Sequence, residues 1–500
     1  MSYQFESSAP AREERLKAGI AFGGTCKELK CCLKQGGCLN GANRSFSQTY
    51  GCQFTLSLGI LNTLRNAVVI MHGPIGCGFC STANIGTGKT YKNLRDPQAD
   101  GILWLSTNLD ESAVINGVEE NLKETIFFAD KEYRPETIVV VSSCVPALIG
   151  DDIDSIIENL QSDVVATLVP VSCEGFKTKV MATAYDAAYN GIMKKLVHLP
   201  GEWIKLTESD KDGIDRDYER SRRVNIFNVG SMSRADEIEL ERLLNGIGLT
   251  VTFLPCYSEP KDFQNSLEAA LNVSICGTHD DYYLQFLEEQ FHIPYLIDTI
   301  PIGRKNTDRW ILKIAEFFHL EEEAKLLIQK ENELLDESLH PYRESLKGRR
   351  VFVSGGEVRI LSTAEVLQDL NMKVVGFKGH HIDKFVEPIF ESLEEIDDIS
   401  INIATQHPFE QANLVRKLNP DVIVIHTGGN NITAKHGLPI LPLFGPSYNY
   451  MGYSGVFEIA RRLNRVIKNY QFNKNLKKYR PLPFKESWYE KDPYTYIKER

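Results

Sequence analysis

Runs of β-branched and other apolar residues alternate with stretches of helical periodicity along most of the chain. The apolar runs form three series, which lie at 66–74, 136–144 and 163–173, at 223–232, 249–257, 272–278 and 294–303, and at 349–357, 372–381, 421–429 and 438–445. Because the runs are apolar at consecutive positions, they indicate strands that are buried on both faces, as in parallel sheets. The pattern therefore predicts an α/β protein.

Segments between the runs have the spacing of helices, for example 110–131 and 150–160, and 320–339 is predicted to be a long charged helix. Strand–helix–strand alternation places helices on both faces of a parallel sheet, which predicts three doubly wound, Rossmann-like domains. The polar segment 206–222 and the end of the charged helix separate them. We expect a Cys-bearing extension at 1–45, α/β domains at 46–215, 216–340 and 341–471, and a C-terminal tail at 472–500.

Charge and hydropathy narrow the classes of partner. Hydrophobic residues make up 42% of the chain and charged residues 25%, with a net charge of −11. An acidic surface disfavours phosphate contacts, so we expect no nucleic-acid partner. No apolar stretch reaches the roughly 20 residues that a membrane span requires, and the N-terminus has no apolar signal core. We therefore expect a cytoplasmic protein that does not enter the membrane.

Eleven cysteines are many for a cytoplasmic chain, where metal or redox chemistry is a better explanation than disulfides. None of them lies after residue 276. Cys77, Cys144 and Cys173 come at or just after the ends of predicted strands, and Cys276 lies within a short one. Because ligands of open α/β sheets bind beyond the carboxyl ends of the strands, several of these thiols are predicted to face a common cleft.

Three of these cysteines are widely spaced. Intervals of 25 and 67 residues separate Cys52, Cys77 and Cys144, which excludes a compact ferredoxin-type run and requires tertiary folding to gather the thiols. The neighbouring Gly76 and Gly78 give the backbone room to approach a bulky inorganic core. From spacing alone, an iron–sulfur site and three buried cysteines packed as small hydrophobes both remain open.

Short sequence motifs around the cysteines resemble those of a known protein family. "YGC", "HGPIGC", "LIGDDI" and "CEGF" occur in this order, followed by "SICGTHDDYY", "GFKGHH" and "YMGYSG". Over residues 46–470 the chain resembles the α-type (D-type) subunit of the nitrogenase component 1 superfamily. The resemblance implies that Cys52, Cys77 and Cys144 supply the α-side ligands of an [8Fe-7S] P-cluster shared with the partner subunit. It also implies that Cys276 binds one end of a large catalytic cluster, in a cleft between the domains.

The same resemblance implies the assembly. A homologous β-type (K-type) subunit would complete an α2β2 heterotetramer. Residues 83–93 contain Gly-Lys-Thr but not the first glycine of a phosphate-binding loop, so the chain itself is not predicted to bind ATP. A separate dimeric, ATP-hydrolysing iron protein is therefore expected as the electron donor, with a small molecule as the substrate.

Departures from molybdenum nitrogenase alter the expected chemistry. Segment 438–455 lacks the histidine that binds molybdenum in that enzyme, and the nearest one is His436. This difference favours an all-iron cluster, [8Fe-9S-C], with Phe444 and Tyr448 filling the space.

Four residues are the catalytic candidates. Met181 and Tyr185 replace the glutamine and histidine that follow "CEGF" in nitrogen-reducing relatives, so Tyr185 is a candidate proton donor beside an apolar Met181. The resemblance also places His381 and Arg359 at the cluster cavity, where the cation of Arg359 would stabilise the anionic sulfides.

The extension contains Cys26, Cys31, Cys32 and Cys38 with the spacing C-x4-C-C-x5-C. This spacing matches no zinc or ferredoxin run. A metal site, a redox-active pair and incidental packing all remain open for these four thiols.

The leading functional hypothesis is ATP-dependent reductive cleavage of carbon–sulfur bonds in small methylthio-alkanes, with release of methanethiol, as in the methylthio-alkane reductases of this superfamily. Soft sulfur binds iron sites, and an apolar pocket accepts a thioether without a large desolvation penalty. Two alternatives remain: a scaffold subunit for nitrogenase cofactor assembly, which does not turn over substrate, and a subunit of an alternative nitrogenase.

Overall fold

The computed structural model describes residues 6, 8–35, 43–45, 52–78, 94–96, 103–198, 220–228, 230, 232–393, 395–405, 407–426, 434–443 and 448–498. The chain divides into two compact units. The first unit comprises residues 1–12, 51–234 and 248–297, and the second comprises 13–50, 235–247 and 298–500. None of the helices in the described ranges is both long and apolar enough to cross a membrane.

The described strands, in chain order, are β1 (Ala21–Thr25), β2 (Asn43–Arg44), β3 (Ala67–His72), β4 (Leu103–Ser106), β5 (Thr137–Ser142), β6 (Thr167–Ser172), β7 (Arg223–Asn228), β8 (Thr250–Pro255), β9 (Leu271–Ser274), β10 (Tyr295–Ile297), β11 (Arg350–Ser354), β12 (Lys373–Gly379), β13 (Ser400–Ala404), β14 (Val422–Ile425), β15 (Ile440–Pro442) and β16 (Ile497–Lys498).

The described α-helices are Arg12–Arg15, Cys26–Gln35, Gln53–Leu61, Glu111–Asn116, Glu119–Tyr133, Cys144–Ile149, Ile153–Leu160, Thr183–Lys195, Arg234–Asn245, Pro260–Asn265, Gly277–Phe291, Arg304–Phe318, Glu321–Leu346, Glu357–Asp369, Glu387–Ser392, Pro408–Leu418, Gly452–Lys468, Gln471–Tyr479 and Glu486–Tyr489. Short 3₁₀ turns lie at Gln161–Asp163, Ser266–Glu268 and Lys384–Val386.

The first unit contains two four-stranded sheets, with orders β4-β3-β5-β6 and β10-β9-β7-β8. Every strand pair in both sheets is parallel. Ile138 and Val140 of β5 belong to a core that includes the helices Glu119–Tyr133 and Ile153–Leu160. Val139, which points to the opposite face, belongs to a second core. The first sheet is thus covered on both faces, which explains why its strands are apolar at consecutive positions.

The second unit contains a six-stranded sheet with the order β1-β13-β12-β11-β14-β15. Strands β11 to β15 are parallel, whereas β1 pairs antiparallel with β13. The N-terminal extension therefore supplies an edge strand to this sheet. A two-residue pairing of β16 with β2 joins the C-terminal tail to the extension.

The α/β prediction with parallel sheets is confirmed. Each of the eleven predicted apolar runs contains or overlaps a strand, but β1, β2, β4, β13 and β16 were not predicted. The helix predicted over 110–131 is two helices, because Gly117 ends the first one with φ +111. The domain boundaries at 46, 216 and 341 stay predictions, since the compact units are built from discontinuous segments.

A buried guanidinium joins two helices of the first unit. Arg12 is fully buried, and its Nε and Nη2 donate to the two carboxylate oxygens of Asp186 at 3.0 and 2.7 Å. Nη2 also lies 3.4 Å from Oδ1 of Asp281. Asp186 belongs to the helix Thr183–Lys195 and Asp281 to Gly277–Phe291, so one side chain of the extension links both helices.

Replacing Arg12 by methionine is expected to destabilise the first unit by about 3–5 kcal/mol, because it leaves buried carboxylates without their cation. Urea denaturation monitored by tryptophan fluorescence measures the effect. The matched control is Lys325→Met, which removes an exposed ion pair with Glu322 and should leave the unfolding midpoint unchanged. An Arg12→Met midpoint equal to that of the control would contradict the prediction.

Candidate functional site

The three widely spaced cysteines lie at the ends of secondary-structure elements in the first unit. Cys144 begins the helix Cys144–Ile149 directly after β5. Cys52 immediately precedes the helix Gln53–Leu61. Cys77 follows β3, and its N–H donates to the carbonyl of Pro74 at 3.1 Å. All three side chains are half-buried. They are thus more accessible than core cysteines.

Two of these thiols meet beside one glycine. A Cβ placed on Gly175 would lie 3.2 Å from Sγ of Cys52 and 3.5 Å from Sγ of Cys144. The structure therefore brings Cys52 and Cys144 together, and the missing side chain of Gly175 leaves space between the backbone and the two sulfurs. Cys77 packs against the same hydrophobic core as Cys52.

Large apolar side chains are exposed beside these thiols. Ile75 is 59% exposed, Leu148 70% and Phe176 53%. Each lies within four residues of Cys77, Cys144 or Gly175. These are side chains that contact with a protein partner would cover.

Cys173 differs from its neighbours. It is fully buried, and burial raises the pKa of its thiol well above the usual value. A buried, protonated thiol is a poor nucleophile. This residue therefore acts as part of the core.

The fourth predicted ligand, Cys276, lies between β9 and the helix Gly277–Phe291. The side chain is 4% exposed. Its N–H donates to Oγ of Ser274 at 3.1 Å, and its carbonyl accepts from the N–H of His279 at 2.7 Å. These bonds fix the backbone on both sides of the thiol.

Tyr185 lies close to this helix start. Its ring is 4.7 Å from the ring of His279, which is one helical turn after Cys276. Met181 lies one turn before Tyr185, and its carbonyl accepts from Ala184 N–H at 3.0 Å. The structure thus places Tyr185 against the first turn of the helix that begins after Cys276. His279 was missed from sequence, although its spacing of three residues from Cys276 placed it on the same helical turn.

Buried polar contacts link the helix Thr183–Lys195, which contains Tyr185, to the helix Gly277–Phe291. The hydroxyl of Tyr189 donates to Oδ1 of Asp280 at 2.7 Å, and that of Ser274 donates to Oδ2 at 2.8 Å. Burial raises the pKa of Asp280 to about 7. The rings of Tyr189 and Tyr283 stack at 4.8 Å. Together with Arg12, these contacts fix Tyr185 relative to Cys276.

Arg359 lies in the second unit, where it is buried. Its guanidinium donates to the hydroxyl of Tyr450 at 2.7 Å. The ring of Tyr450 in turn packs against His426, with centroids 5.7 Å apart. The predicted cation is therefore held by an aromatic hydroxyl at the end of the six-stranded sheet.

His426 was missed from sequence, although it directly follows β14, where ligands of parallel sheets bind. The Thr363 hydroxyl donates to the Arg359 carbonyl at 2.8 Å, so its oxygen accepts from Nε2–H of His426 at 2.6 Å. This bond fixes the tautomer with a lone pair on Nδ1. Burial, and next the Arg359 cation, lowers the pKa of His426 to about 3, so the ring stays neutral.

His381 lies between two carboxylates of the second unit. Its Nε2 is 3.3 Å from Oε1 of Glu357 and 3.4 Å from Oδ2 of Asp383. Three residues before His381 along the chain, Nζ of Lys378 lies 3.1 Å from Nδ1 of the neighbouring His380. Burial lowers the pKa of Lys378 to about 7. Segment 378–383, which contains the predicted site residue His381, therefore contains several buried ionisable groups.

The thiols of the extension are not all brought together. Cys26 is buried, and burial raises its pKa to about 12, whereas Cys31 is exposed. The two lie about 140° apart around the helix Cys26–Gln35. Cys26 therefore packs as a core residue, away from the side of Cys31. Cys38 lies outside the described residues.

Two aromatic residues, Phe444 and Tyr448, are predicted to fill the space of the histidine that segment 438–455 lacks. Phe444 lies outside the described residues. Tyr448 is described, and the guanidinium of Arg462 lies 4.0 Å from its ring centroid. His436 packs edge-on against Tyr489 of the tail. His436 is therefore engaged with the C-terminal tail.

Comparisons with known proteins give consistent similarities. A sequence model described as nitrogenase component 1 type oxidoreductase matches residues 52–468. The nitrogenase molybdenum-iron protein alpha chain of Methanosarcina barkeri is 27% identical over 83% of this chain and 85% of its own length. The nitrogenase iron-molybdenum cofactor biosynthesis protein NifE of Rippkaea orientalis is 28% identical over 83% and 84%. A solved structure, "Nitrogenase Cp1 at pH 5", has a TM-score of 0.71 at 21% identity, covering 89% of this chain and 92% of that one.

The thiols are expected to differ in reactivity in metal-free protein. Cys52 and Cys144 should react with iodoacetamide at pH 8 at least tenfold faster than Cys173 and Cys256. The latter two are buried, and burial raises the pKa of Cys256 to about 11. Peptide mapping by mass spectrometry measures each rate, and urea-unfolded protein, in which all thiols should react alike, is the control. Equal rates in the folded protein would contradict this arrangement.

Proposed function

The chain belongs to the nitrogenase component 1 type oxidoreductase family, and we propose that it is the α-type subunit of a reductase that cleaves carbon–sulfur bonds in small methylthio compounds. The observation that carries the proposal is the position of Tyr185 beside His279, one helical turn from Cys276. This arrangement combines a candidate cluster ligand with a phenol and with the apolar Met181.

We propose a bridging cluster at the three widely spaced cysteines. Cys52, Cys77 and Cys144 would be the α-side ligands of an [8Fe-7S] P-cluster, and a homologous β-type subunit would supply the others. Thiolates are the donors that iron–sulfur clusters take, and Gly175 leaves room beside two of them. The exposed Ile75 fits burial against a partner chain. An α2β2 assembly would follow from two such pairs.

We propose a second, catalytic cluster at Cys276. Cys276 would bind one end of a large iron–sulfur cluster, which we propose to be all-iron, [8Fe-9S-C]. The donor fits, because the Cys276 thiol lies at a strand end with its backbone fixed on both sides. When bound, the cluster would supply electrons at low potential and a soft site for sulfur.

The chain's own residues would position the substrate and deliver a proton. Reduction of a thioether R–S–CH3 takes two electrons and two protons: the R–S bond breaks, and C–H and S–H bonds form in RH and methanethiol. Tyr185 would hold one of these protons near Cys276. Met181 would give an apolar wall on which a thioether loses few hydrogen bonds. The roles of Arg359 and His381 at this cluster stay predictions.

Electrons would come from a separate protein. We propose a dimeric, ATP-hydrolysing iron protein as the donor, because residues 83–93 do not form a complete phosphate-binding motif. The ATP-dependent step would then belong to the partner, with this chain acting as the acceptor.

A scaffold role in cofactor assembly is the second candidate. It is favoured by the likeness to cofactor biosynthesis proteins, which at 28% identity is as great as the likeness to a nitrogenase alpha chain at 27%. A scaffold would bind a cluster through Cys276 and transfer it to an acceptor. The two candidates differ in turnover rather than in ligands.

The proposed bridging cluster is tested by comparing the iron content of two glycine-to-alanine variants. Gly175→Ala is expected to remove up to the eight irons of this cluster per heterodimer, because the new Cβ would lie 3.0 Å from Cβ of Cys52. Gly59→Ala, on the helix Gln53–Leu61, is the matched control, since nothing lies within 4 Å of its Cβ. Iron analysis of the purified heterodimer measures the loss, with Cys77→Ala as the positive control. Full iron content in Gly175→Ala and Cys77→Ala alike would exclude the bridging site.

The reaction is tested with the purified complex, its iron protein, ATP and dithionite, offered dimethyl sulfide or methylthioethanol. Methanethiol, measured by gas chromatography, is expected over repeated turnovers and should fall at least a hundredfold in Cys276→Ala. Cys256→Ser, a buried cysteine of the same unit, is the control that should retain activity. Ammonia from dinitrogen without methanethiol would replace this proposal by a nitrogenase. Cluster transfer to an apo-acceptor without turnover would replace it by the scaffold.

A further inference from the structure

Three buried side chains of the second unit converge at the ends of two adjacent strands. Glu357 begins the helix that follows β11, and His381 and Asp383 follow β12. Strands β11 and β12 pair in parallel, so their carboxyl ends lie side by side. The residues are 2%, 6% and 2% exposed. The position and the burial together are typical of a ligand site in an open α/β sheet.

The spacing of their polar atoms fits one metal ion. Nε2 of His381 lies 3.3 Å from Oε1 of Glu357 and 3.4 Å from Oδ2 of Asp383. One ligand atom from each residue lies within 4.8 Å of the others. Two ligands of a tetrahedral ion with bonds of about 2.0–2.2 Å are themselves about 3.4 Å apart. The two separations from Nε2 of His381 are therefore those that two ligands of one ion would have.

The local structure holds these atoms in place. Oδ1 of Asp383 accepts the N–H of Phe385 at 3.0 Å, which turns Oδ2 toward His381. A Cβ on Gly379 would lie 3.5 Å from Cβ of Glu357, so this glycine lets the segment after β12 approach the helix start. The Thr405 hydroxyl donates to the carbonyl of His380 at 2.9 Å and fixes the segment further.

We propose that Glu357, His381 and Asp383 bind one divalent first-row metal ion of the zinc or iron(II) class. Imidazole and carboxylate are the ligands that these ions share, and a set without thiolate disfavours copper(I). Two carboxylates and a neutral imidazole balance a charge of +2, which a buried site requires. Three protein ligands leave a fourth position for water or substrate.

The donor atoms of this site differ from those of the proposed iron–sulfur ligands. Its three residues include no cysteine, and Cys52, Cys77, Cys144 and Cys276 all belong to the other compact unit. The inference goes beyond the proposed function and does not depend on it. The competing explanation is an imidazolium ion paired with two carboxylates, without metal.

The test uses the full chain, expressed without cluster-assembly genes, stripped with chelator and dialysed against zinc chloride. Inductively coupled plasma mass spectrometry is expected to give about one zinc ion more per chain in the wild type than in His381→Gln. His340→Gln, on an exposed helix surface, is the matched control and should retain this ion. Equal zinc content in the wild type and His381→Gln would overturn the proposal in favour of the ion pair.

Two further measurements separate this site from the cysteines and from misfolding. X-ray absorption of the ion lost in His381→Gln should show nitrogen and oxygen at about 2.0–2.2 Å, whereas sulfur at about 2.3 Å would assign it to thiols and exclude the site. Asp383→Asn keeps the shape of the side chain. Zinc should raise the thermal midpoint of the wild type and not that of this variant, and an equal rise in both would contradict the proposal.

Discussion

The geometry of parallel strands is the constraint on which the arrangement of this protein depends. All strands of a parallel sheet have their carboxyl ends at one edge, and the segments that leave that edge are forced to be neighbours. Cys144 follows β5, Cys276 follows β9, His381 follows β12 and His426 follows β14. Of these four residues, His381 and His426 belong to the same sheet, whereas Cys144 and Cys276 lie in two other sheets, each at the carboxyl end of its own strand.

The same constraint explains which parts of the fold the sequence predicts. Strands such as β5 are buried on both faces, so their apolar runs are conspicuous. Strand β4 lies at a sheet edge and is only half-buried, and β1 is "AFGGT", with two consecutive glycines. Strand β1 therefore lacks the apolar run of a central strand, and β4, with the sequence "LWLS", is only four residues long. The break at Gly117 was not predicted, because a single glycine within a helical pattern does not by itself end a helix.

In the candidate site, too, the sequence predicts individual residues, whereas their contacts depend on the tertiary structure. Cys52, Cys77, Cys144 and Cys276 were predicted as ligands from motifs and their order along the chain, which are properties of the sequence. The meeting of two thiols at Gly175 and the fixed tautomer of His426 depend on contacts between distant segments. No local pattern encodes such pairs. A resemblance can point to a residue, but its partners require the fold.

The burial of Arg12 between two helices has a consequence for biosynthesis. Its second carboxylate partner, Asp281, is 269 residues further along the chain. At a synthesis rate of about 5–20 residues per second, a ribosome needs on the order of tens of seconds to cover that interval. The nascent N-terminal segment lacks both carboxylates until Asp186 is made, 174 residues after Arg12, and then lacks Asp281 until the end of this interval. Cotranslational folding of the first unit must therefore finish with a segment that was among the first to be made.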